Sequence, residues 1–189
     1  LRANMSKEEF VKEVLTGLMP PPAYFPKNAA MNKMDSQSFK EVIERGSRPL
    51  DVATFKFVAD ESDVLILDTR DPDEFVKGFI PGSINIGLNG NFAPWAGALI
   101  PDLKQEILLV TEPGREEEVI TRLSRVGFDY TMGYLDGGFS TYLKSGEPVD
   151  SIESVDAKEL RRRIDKDNHI PLLDVRRKSE YDAQHILNT

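Results

Sequence analysis

The sequence predicts an α/β fold in which a parallel sheet is covered by helices on both faces. Short apolar runs alternate with amphipathic helical segments, and this is the order of elements that builds such a sheet. A helical linker precedes this pattern, and the start of a second copy follows it. The second copy is indicated by a motif from Leu67 to Ile80 that recurs from Leu173 to Ile186, an offset of 106 residues.

The composition is typical of a soluble globular protein and excludes several kinds of chemistry. Charged residues make up 30% of the 189 residues and the formal net charge is −8, so nucleic acid and anionic membranes are poor partners. The apolar runs are too short to span a membrane, and we expect a cytoplasmic protein. The chain has no cysteine, which excludes disulfides, thiolate metal sites and a nucleophilic thiol within it. Whether the protein is a homo-oligomer stays open.

Residues 1–46 are predicted to form a helix, an extended linker and a second helix. Ser6 and Glu9 have the spacing of a capping box, and the apolar residues that follow fall on one helical face. These apolar residues are Phe10, Val11, Val14, Leu15 and Leu18. The run Pro20-Pro21-Pro22 ends this helix. A further helix is predicted from about Ser38 to Arg45, closed by Gly46.

Residues 47–150 form the first copy of the module. Its strands are predicted at Val64–Leu67, Ser83–Ile86, Ile107–Val110 and Tyr130–Tyr134. Its helices are predicted at Asp71–Phe75, Glu116–Val126 and Phe139–Ser145. The most apolar run, Ile107–Val110, is interpreted as the central strand. Trp95 lies in a predicted loop rich in glycine and asparagine, where it forms either a small satellite core or a docking anchor.

Residues 151–189 contain the opening of the second copy. Asp156 and Glu159 have capping-box spacing, Ile170–Leu173 is interpreted as a strand, and Glu180 begins a helix-like turn. So few residues cannot close an α/β core of their own. We therefore expect the chain to be part of a longer protein.

An aspartate and an arginine follow the first predicted strand and recur in the second copy. They are Asp68 and Arg70 in the first copy and Asp174 and Arg176 in the second. Because the pair occurs in both copies, we interpret it as a structural pair that fixes the chain where the strand ends, in preference to a catalytic pair.

The loop from Thr111 to Arg115 is the best-placed candidate site. It connects the predicted central strand to the helix that begins near Glu116. In an open α/β sheet, ligands bind beyond the carboxyl ends of the strands. Backbone N–H groups at the start of a helix also favour an anion there.

Several motifs together resemble a rhodanese-type sulfurtransferase domain, and their order and spacing match that family over about 100 residues. The motifs are Leu67-Asp68-Thr69-Arg70, Glu74-Phe75, Phe79-Ile80-Pro81-Gly82-Ser83-Ile84-Asn85, Gly127-Phe128 and Tyr134-Leu135-Asp136-Gly137-Gly138-Phe139. The resemblance implies a rhodanese-like sheet and a loop with the pattern Cys-x-x-Gly-x-Arg-Ser, whose cysteine carries a persulfide. With Gly114 on the glycine of that pattern, Thr111 stands at the nucleophile, Glu116 at the arginine and Glu117 at the serine.

These replacements imply a domain without sulfurtransferase activity, because a threonine hydroxyl does not form a persulfide and no base stands nearby to activate it. The loop equivalents are Thr111, Glu112, Pro113, Gly114, Arg115, Glu116 and Glu117. We interpret the loop first as a capped helix start without a ligand, and second as a modified pocket for a peptide, a cation or a neighbouring domain. Arg115 could hold an anion, although a lone exposed arginine is usually solvated. The alternative to an inactive module is a residual sulfurtransferase or anion-binding enzyme that uses this loop.

The segment from Met5 to Asn32 is similar to the end of the hydrolase domain in fusions of a metallo-β-lactamase-fold domain, often of the persulfide dioxygenase type, with rhodanese domains. The resemblance implies that an upstream metallohydrolase domain and a second rhodanese domain are partners of the first copy. It implies a spacer or docking role for that copy. Iron or zinc is expected only in the upstream domain, and we assign no metal or cofactor site here. Tyr24 and Phe25, beside the proline run, are expected to pack against that domain.

Overall fold

The structure, a computed structural model, describes residues 5–16, 25 and 38–187 of the chain. Contacts divide the chain into two units, with the boundary between Ser151 and Ile152. The first unit contains a five-stranded sheet in the order β1-β5-β4-β2-β3, and all neighbouring strands in it are parallel. Helices flank this sheet, so the predicted α/β class with a parallel sheet is confirmed.

Seven helices and five strands are described in the first unit. In chain order they are α1 (Lys7–Leu15), α2 (Phe39–Gly46), β1 (Pro49–Leu50), α3 (Val52–Glu61), β2 (Leu65–Asp68), α4 (Pro72–Phe75), β3 (Ile84–Asn85), α5 (Phe92–Leu99), β4 (Ile107–Val110), α6 (Glu116–Ser124), β5 (Thr131–Leu135) and α7 (Gly138–Lys144). The predicted strands lie within two residues of these bounds. The predicted helix at Glu116–Val126 ends two residues earlier, at Ser124.

The central strand β4 consists of an uninterrupted apolar run because both of its faces are buried. All four of its residues are fully buried, because it lies between β2 and β5 and has a hydrophobic cluster on each face. Ile107 and Leu109 belong to one cluster, and Leu108 and Val110 belong to the other. Full burial of such a side chain contributes roughly 1.5–3 kcal/mol relative to an exposed one, so β4 anchors both halves of the core.

Three elements of the first unit were not predicted from the sequence. Strand β1 has two residues, too few for a periodic pattern. Helix α3 contains valines and a threonine, which have weak helix propensity, but Asp51 caps it by accepting a hydrogen bond from the Thr54 N–H at 2.7 Å. The predicted loop around Trp95 is wrong, since this residue lies in helix α5. Pro94 is tolerated there because it lies in the first turn, where the N–H groups have no intrahelical partner.

Helix α1 begins with the predicted capping box. The Glu9 N–H donates to the Ser6 hydroxyl at 3.2 Å, and the Ser6 N–H donates to the Glu9 carboxylate at 2.9 Å. The apolar face of this helix is exposed at Phe10 and Leu15. Leu18 and the run Pro20-Pro21-Pro22 lie outside the described residues.

The second unit contains two helices, α8 (Ala157–Lys166) and α9 (Lys178–Ala183). Asp156 caps α8 through the Glu159 N–H at 2.7 Å. The predicted capping box is only half formed, because the Glu159 carboxylate pairs with Arg162 and Arg163 instead. The predicted strand at Ile170–Leu173 is wrong. Within residues 152–187 no other strand is present to form a ladder with it, and a strand is stable only in a ladder. Glu180 lies in α9, as predicted.

We predict that substitution by alanine lowers the free energy of unfolding by different amounts at two glycines with positive φ. Gly114 has a φ of +89° and open space around it, so Gly114→Ala should lower the free energy of unfolding by about 1–2 kcal/mol, from the left-handed backbone alone. Gly138 has a φ of +63°, and a Cβ there would lie 2.7 Å from the Thr111 carbonyl oxygen. Gly138→Ala should therefore cost about 1–3 kcal/mol more, because the contact must open. Urea unfolding followed by circular dichroism measures both, and equal losses would contradict a close contact between Gly138 and the loop.

Candidate functional site

The loop after β4 lies at the carboxyl end of the sheet, where its first residue is held tightly. Thr111 is 3% exposed. Directly before it, the Val110 carbonyl accepts a hydrogen bond from the Thr69 N–H at 2.8 Å, so the start of the loop is fixed to the end of β2. On the opposite side, Gly138 at the start of α7 approaches the Thr111 carbonyl closely. Only glycine fits there, which accounts for Gly138.

A carboxylate of the loop itself accepts a hydrogen bond from one of the loop's backbone N–H groups. The Gly114 N–H donates to the Glu116 carboxylate at 3.0 Å. Glu116 is the first residue of α6, and Glu117 and Glu118 complete an acidic first turn. Carboxylates at this end interact favourably with the helix dipole, each by about 0.3–1 kcal/mol. The start of α6 is therefore neutralised from within the chain.

Arg115 is engaged by its neighbours, so the solvated side chain expected from the sequence is wrong. Its guanidinium lies 2.9 Å from the Glu118 carboxylate and 3.5 Å from that of Glu112. It also donates to the side-chain oxygen of Asn89 at 3.2 Å. The hydrogen bond to Glu118 is the main cause that raises the pKa of Arg115 above its usual value. The same bond lowers the pKa of Glu118.

Arg122, which was not singled out from the sequence, connects α6 to the loop after β3. Its guanidinium donates to the carbonyl of Leu88 at 2.6 Å and to that of Gly90 at 3.1 Å. It also lies 3.5 Å from the Glu118 carboxylate. The spacing of Glu118 and Arg122 is the only trace of this contact in the sequence, because the carbonyls it reaches are more than 30 residues away.

Asp68 and Arg70 form a buried ion pair at the end of β2. The Asp68 side chain is fully buried and accepts from the Arg70 Nε at 3.0 Å and from its terminal nitrogen at 2.6 Å. The same guanidinium donates to the Gly78 carbonyl at 2.9 Å and lies 4.0 Å from the centre of the Phe139 ring. The side-chain amide of Asn85 bridges the carbonyls of Asp68 and Arg70, at 3.0 Å each. These contacts occupy the Nε and one terminal nitrogen of the Arg70 guanidinium, whose side chain is 12% exposed.

The second unit repeats this geometry with the offset found in the sequence. Arg176 donates to the Asp174 carboxylate at 2.5 Å and to the Gln184 carbonyl at 2.8 Å, as Arg70 does to Asp68 and Gly78. Hydrogen bonds from Arg176 hold the pKa of Asp174 at about 2. The surroundings differ, since Leu173 is 85% exposed, whereas its counterpart Leu67 is fully buried.

Two of the three residues expected to take part in docking are exposed, and the third lies outside the described residues. Trp95 is 57% exposed and lines a groove of about 380 Å³ with Pro72, Asn89 and Leu99 among its walls. A satellite core around Trp95 is therefore not formed. Tyr24 lies outside the described residues, and Phe25 is 51% exposed.

Among residues 5–16, 25 and 38–187, no group of three or more histidine, aspartate or glutamate side chains could hold a metal ion. In the same ranges no helix is both long and apolar enough to cross a membrane.

Comparison with known proteins gives a family match for the first unit. Residues 52–145 match the family model described as the rhodanese-like domain. No curated protein sequence matches the chain.

Three solved structures to which the chain shows similarity each cover part of it. The Alr3790 protein from Anabaena sp. is 18% identical, with 62% of this chain and 90% of that chain covered and a TM-score of 0.47. The thiosulfate sulfurtransferase from Pseudomonas aeruginosa is 20% identical, with 63% of this chain and 24% of that chain covered and a TM-score of 0.47. The rhodanese-related protein from Thermoplasma volcanium is 22% identical, with 54% of this chain and 96% of that chain covered and a TM-score of 0.41.

We expect Arg70→Ala to lower the free energy of unfolding by about 3–5 kcal/mol, because it leaves the buried Asp68 carboxylate without its partner. Adding Asp68→Asn should recover part of that loss by removing the buried charge. Arg176→Ala is the matched control, since it removes the same contacts at an exposed position and should leave unfolding of the first unit unchanged. Fluorescence of Trp95, the only tryptophan, monitors the first unit in urea. A wild-type midpoint for Arg70→Ala would show that the pair is dispensable.

The pKa of Glu118 should rise when Arg115 is removed. It lies below the usual 4.5 mainly because of the hydrogen bond from Arg115, so Arg115→Gln should move it back towards that value. Since the folded pKa is lowered, this ion pair stabilises the fold above pH 4.5, and its contribution is lost as the pH falls through the folded pKa. A carbon-13 NMR titration of the Glu118 carboxyl group measures the shift. As a control, Arg125→Gln removes a charge from the end of α6 and should leave the titration of Glu118 unchanged. A shift of equal size in this control would contradict a specific pairing of Glu118 with Arg115.

Proposed function

We propose that this chain, which carries a rhodanese-like domain over residues 52–145, uses that domain as a catalytically inactive module. The observation that carries the proposal is the candidate loop, where a buried threonine and the loop's own carboxylates stand in place of a reactive thiol. The module would serve as a spacer or docking domain in a larger protein of sulfur metabolism.

The first support is the chemistry of position 111. A persulfide needs a thiolate that attacks a sulfane sulfur, and the thiol pKa controls how much thiolate is present. Thr111 carries a hydroxyl, whose proton is not lost at neutral pH, and the chain contains no cysteine that could replace it. Neither histidine is in the first unit, so no imidazole there could act as its base.

The second support is electrostatic. An incoming thiosulfate would need backbone N–H groups of the loop and the helix start. The Glu116 carboxylate already accepts from the Gly114 N–H, and the acidic first turn of α6 adds further negative charge. Arg115 is the cation within the loop, and its charge is already balanced by Glu112 and Glu118. A like charge at this position repels an anion instead of binding it. No contact in the loop favours the alternative of a residual anion-binding enzyme.

The proposed partners follow from the resemblance of residues 5–32 to the end of a hydrolase domain. We propose a metallo-β-lactamase-fold domain of the persulfide dioxygenase type on one side, in which iron or zinc would be bound. A second rhodanese domain, of which residues 151–189 would be the opening, stands on the other side, and the protein would be cytoplasmic. The exposed Trp95 groove is one surface through which the module could dock to either.

Assays with thiosulfate and cyanide test the inactivity. The chain should show no turnover above buffer, and Thr111→Cys alone should remain inactive, because the carboxylates still fill the loop. The triple variant Thr111→Cys, Glu116→Arg, Glu117→Ser restores the sulfurtransferase pattern and should take up a sulfane sulfur, visible as the added mass of one sulfur atom. Circular dichroism confirms that the variants fold.

Two results would contradict the proposal. One is clear turnover by the unmodified chain. The other is binding of sulfate or thiosulfate at low millimolar concentration, seen as NMR shifts of the backbone N–H groups of residues 112 and 114–117. Such binding would contradict the proposal if Glu116→Gln did not make it tighter.

A further inference from the structure

The loop between β3 and α5 contains an asparagine followed by a glycine, Asn89-Gly90, and both residues are exposed. Gly90 has a φ of +118°, and no atom lies within 4 Å of the position where a Cβ would be. Within the described residues the Gly90 N–H makes no hydrogen bond. The backbone nitrogen of Gly90 is therefore unshielded, and the absence of a side chain leaves it free to approach the preceding side chain.

The side chain of Asn89 is activated by a neighbour. Its carbonyl oxygen accepts a hydrogen bond from the Arg115 guanidinium at 3.2 Å. A cationic donor draws electron density from the amide carbon and stabilises negative charge on the oxygen when a nucleophile adds. Arg115 is itself held by Glu118, so its position does not depend on Asn89.

From these contacts we propose that Asn89 is a site of spontaneous deamidation, in which Arg115 acts as the oxyanion donor. The Gly90 backbone nitrogen adds to the Asn89 side-chain carbon and loses its proton. The bond from that carbon to the side-chain nitrogen then breaks, and ammonia leaves with the transferred proton. Water next opens the cyclic imide at either carbonyl, which gives an aspartyl or an isoaspartyl residue. Water is consumed, ammonia is released, and no oxidant or reductant is needed.

The product changes the candidate site as well as the loop. A carboxylate at position 89 faces Arg115 and competes with Glu112 and Glu118 for it. The isoaspartyl product also lengthens the main chain between Leu88 and Gly90, whose carbonyls Arg122 holds. The wall of the Trp95 groove, to which Asn89 contributes, would shift with it.

Peptide mapping by mass spectrometry tests the proposal on the whole chain incubated at pH 7.4 and at pH 9. Asn89 should convert to the acid, with the isoaspartyl form detectable, and faster at the higher pH. The rate should equal or exceed that of a free peptide of residues 86–93. Asn91, in the same loop but followed by the buried Phe92, is the internal control and should stay intact.

Variants separate the two contributions. Arg115→Gln should slow conversion of Asn89 several-fold in the folded chain, towards the rate of the free peptide, which lacks residue 115. Gly90→Ala should suppress it, and a circular dichroism spectrum like that of the unmodified chain confirms folding. Slower conversion in the folded chain than in the peptide would overturn the proposal that Asn89 is a deamidation site, because the folded loop would then protect the side-chain amide. An unchanged rate in Arg115→Gln would overturn the role of the guanidinium.

Discussion

The first unit depends on a carboxylate that has been removed from water and must be paired. Asp68 is fully buried at the end of β2, where an unpaired carboxylate would cost several kcal/mol. Arg70 meets this requirement and at the same time donates to the Gly78 carbonyl and lies over the Phe139 ring. One guanidinium therefore joins the end of the strand, the turn after α4 and the start of α7. The contacts with the aspartate and with a carbonyl eight residues on recur at Arg176, where Leu173 is 85% exposed, which indicates that these two contacts depend on the local sequence.

The candidate loop satisfies its polar groups with the same kinds of side chain. A helix start beyond a parallel strand is an anion site by default, because its N–H groups have no partner within the helix. Here the Glu116 carboxylate accepts from the Gly114 N–H in the loop just before the helix, and Arg115 is balanced by two further carboxylates. An external anion would have to displace a carboxylate tethered two residues away, which is present at a far higher effective concentration than a solute. A helix start after a parallel strand, which often binds an anion, is thus compatible with a loop that binds no external anion.

The sequence predicts the parts of this fold that rest on continuous apolar runs. Strand β4 was placed without error because full burial on both faces requires four apolar residues in succession. Strand β1 and helix α3 were missed, since a two-residue strand has no period and valines favour no helix. The strand expected at Ile170–Leu173 was wrong for a different reason: an apolar run becomes a strand only when another strand lies beside it. Pattern alone does not supply that neighbour.

The site was predictable in position but not in its connections. Aligning the loop on Gly114 identified Thr111 and the carboxylates, because these lie within a few residues of one another. The partners of Arg115 and Arg122 in the loop after β3 could not be predicted from the sequence spacing. Asn89 is 26 residues from Arg115, and the Leu88 carbonyl is 34 residues from Arg122. Such contacts exist only once β3 and β4 occupy their places in the sheet.

These long-range contacts make the candidate loop and the Trp95 groove parts of one network. Glu118 lies between Arg115 and Arg122, and the two guanidinium groups hold the loop before α5 from its side chain and from its backbone. Asn89 belongs both to this network and to the wall of the groove. Because charged hydrogen bonds that share partners strengthen one another, a partner that displaces Asn89 would weaken the contacts of Arg115, which Glu112 and Glu118 would still hold in place. A rhodanese-like loop without its thiol could in this way still respond to what binds the neighbouring groove.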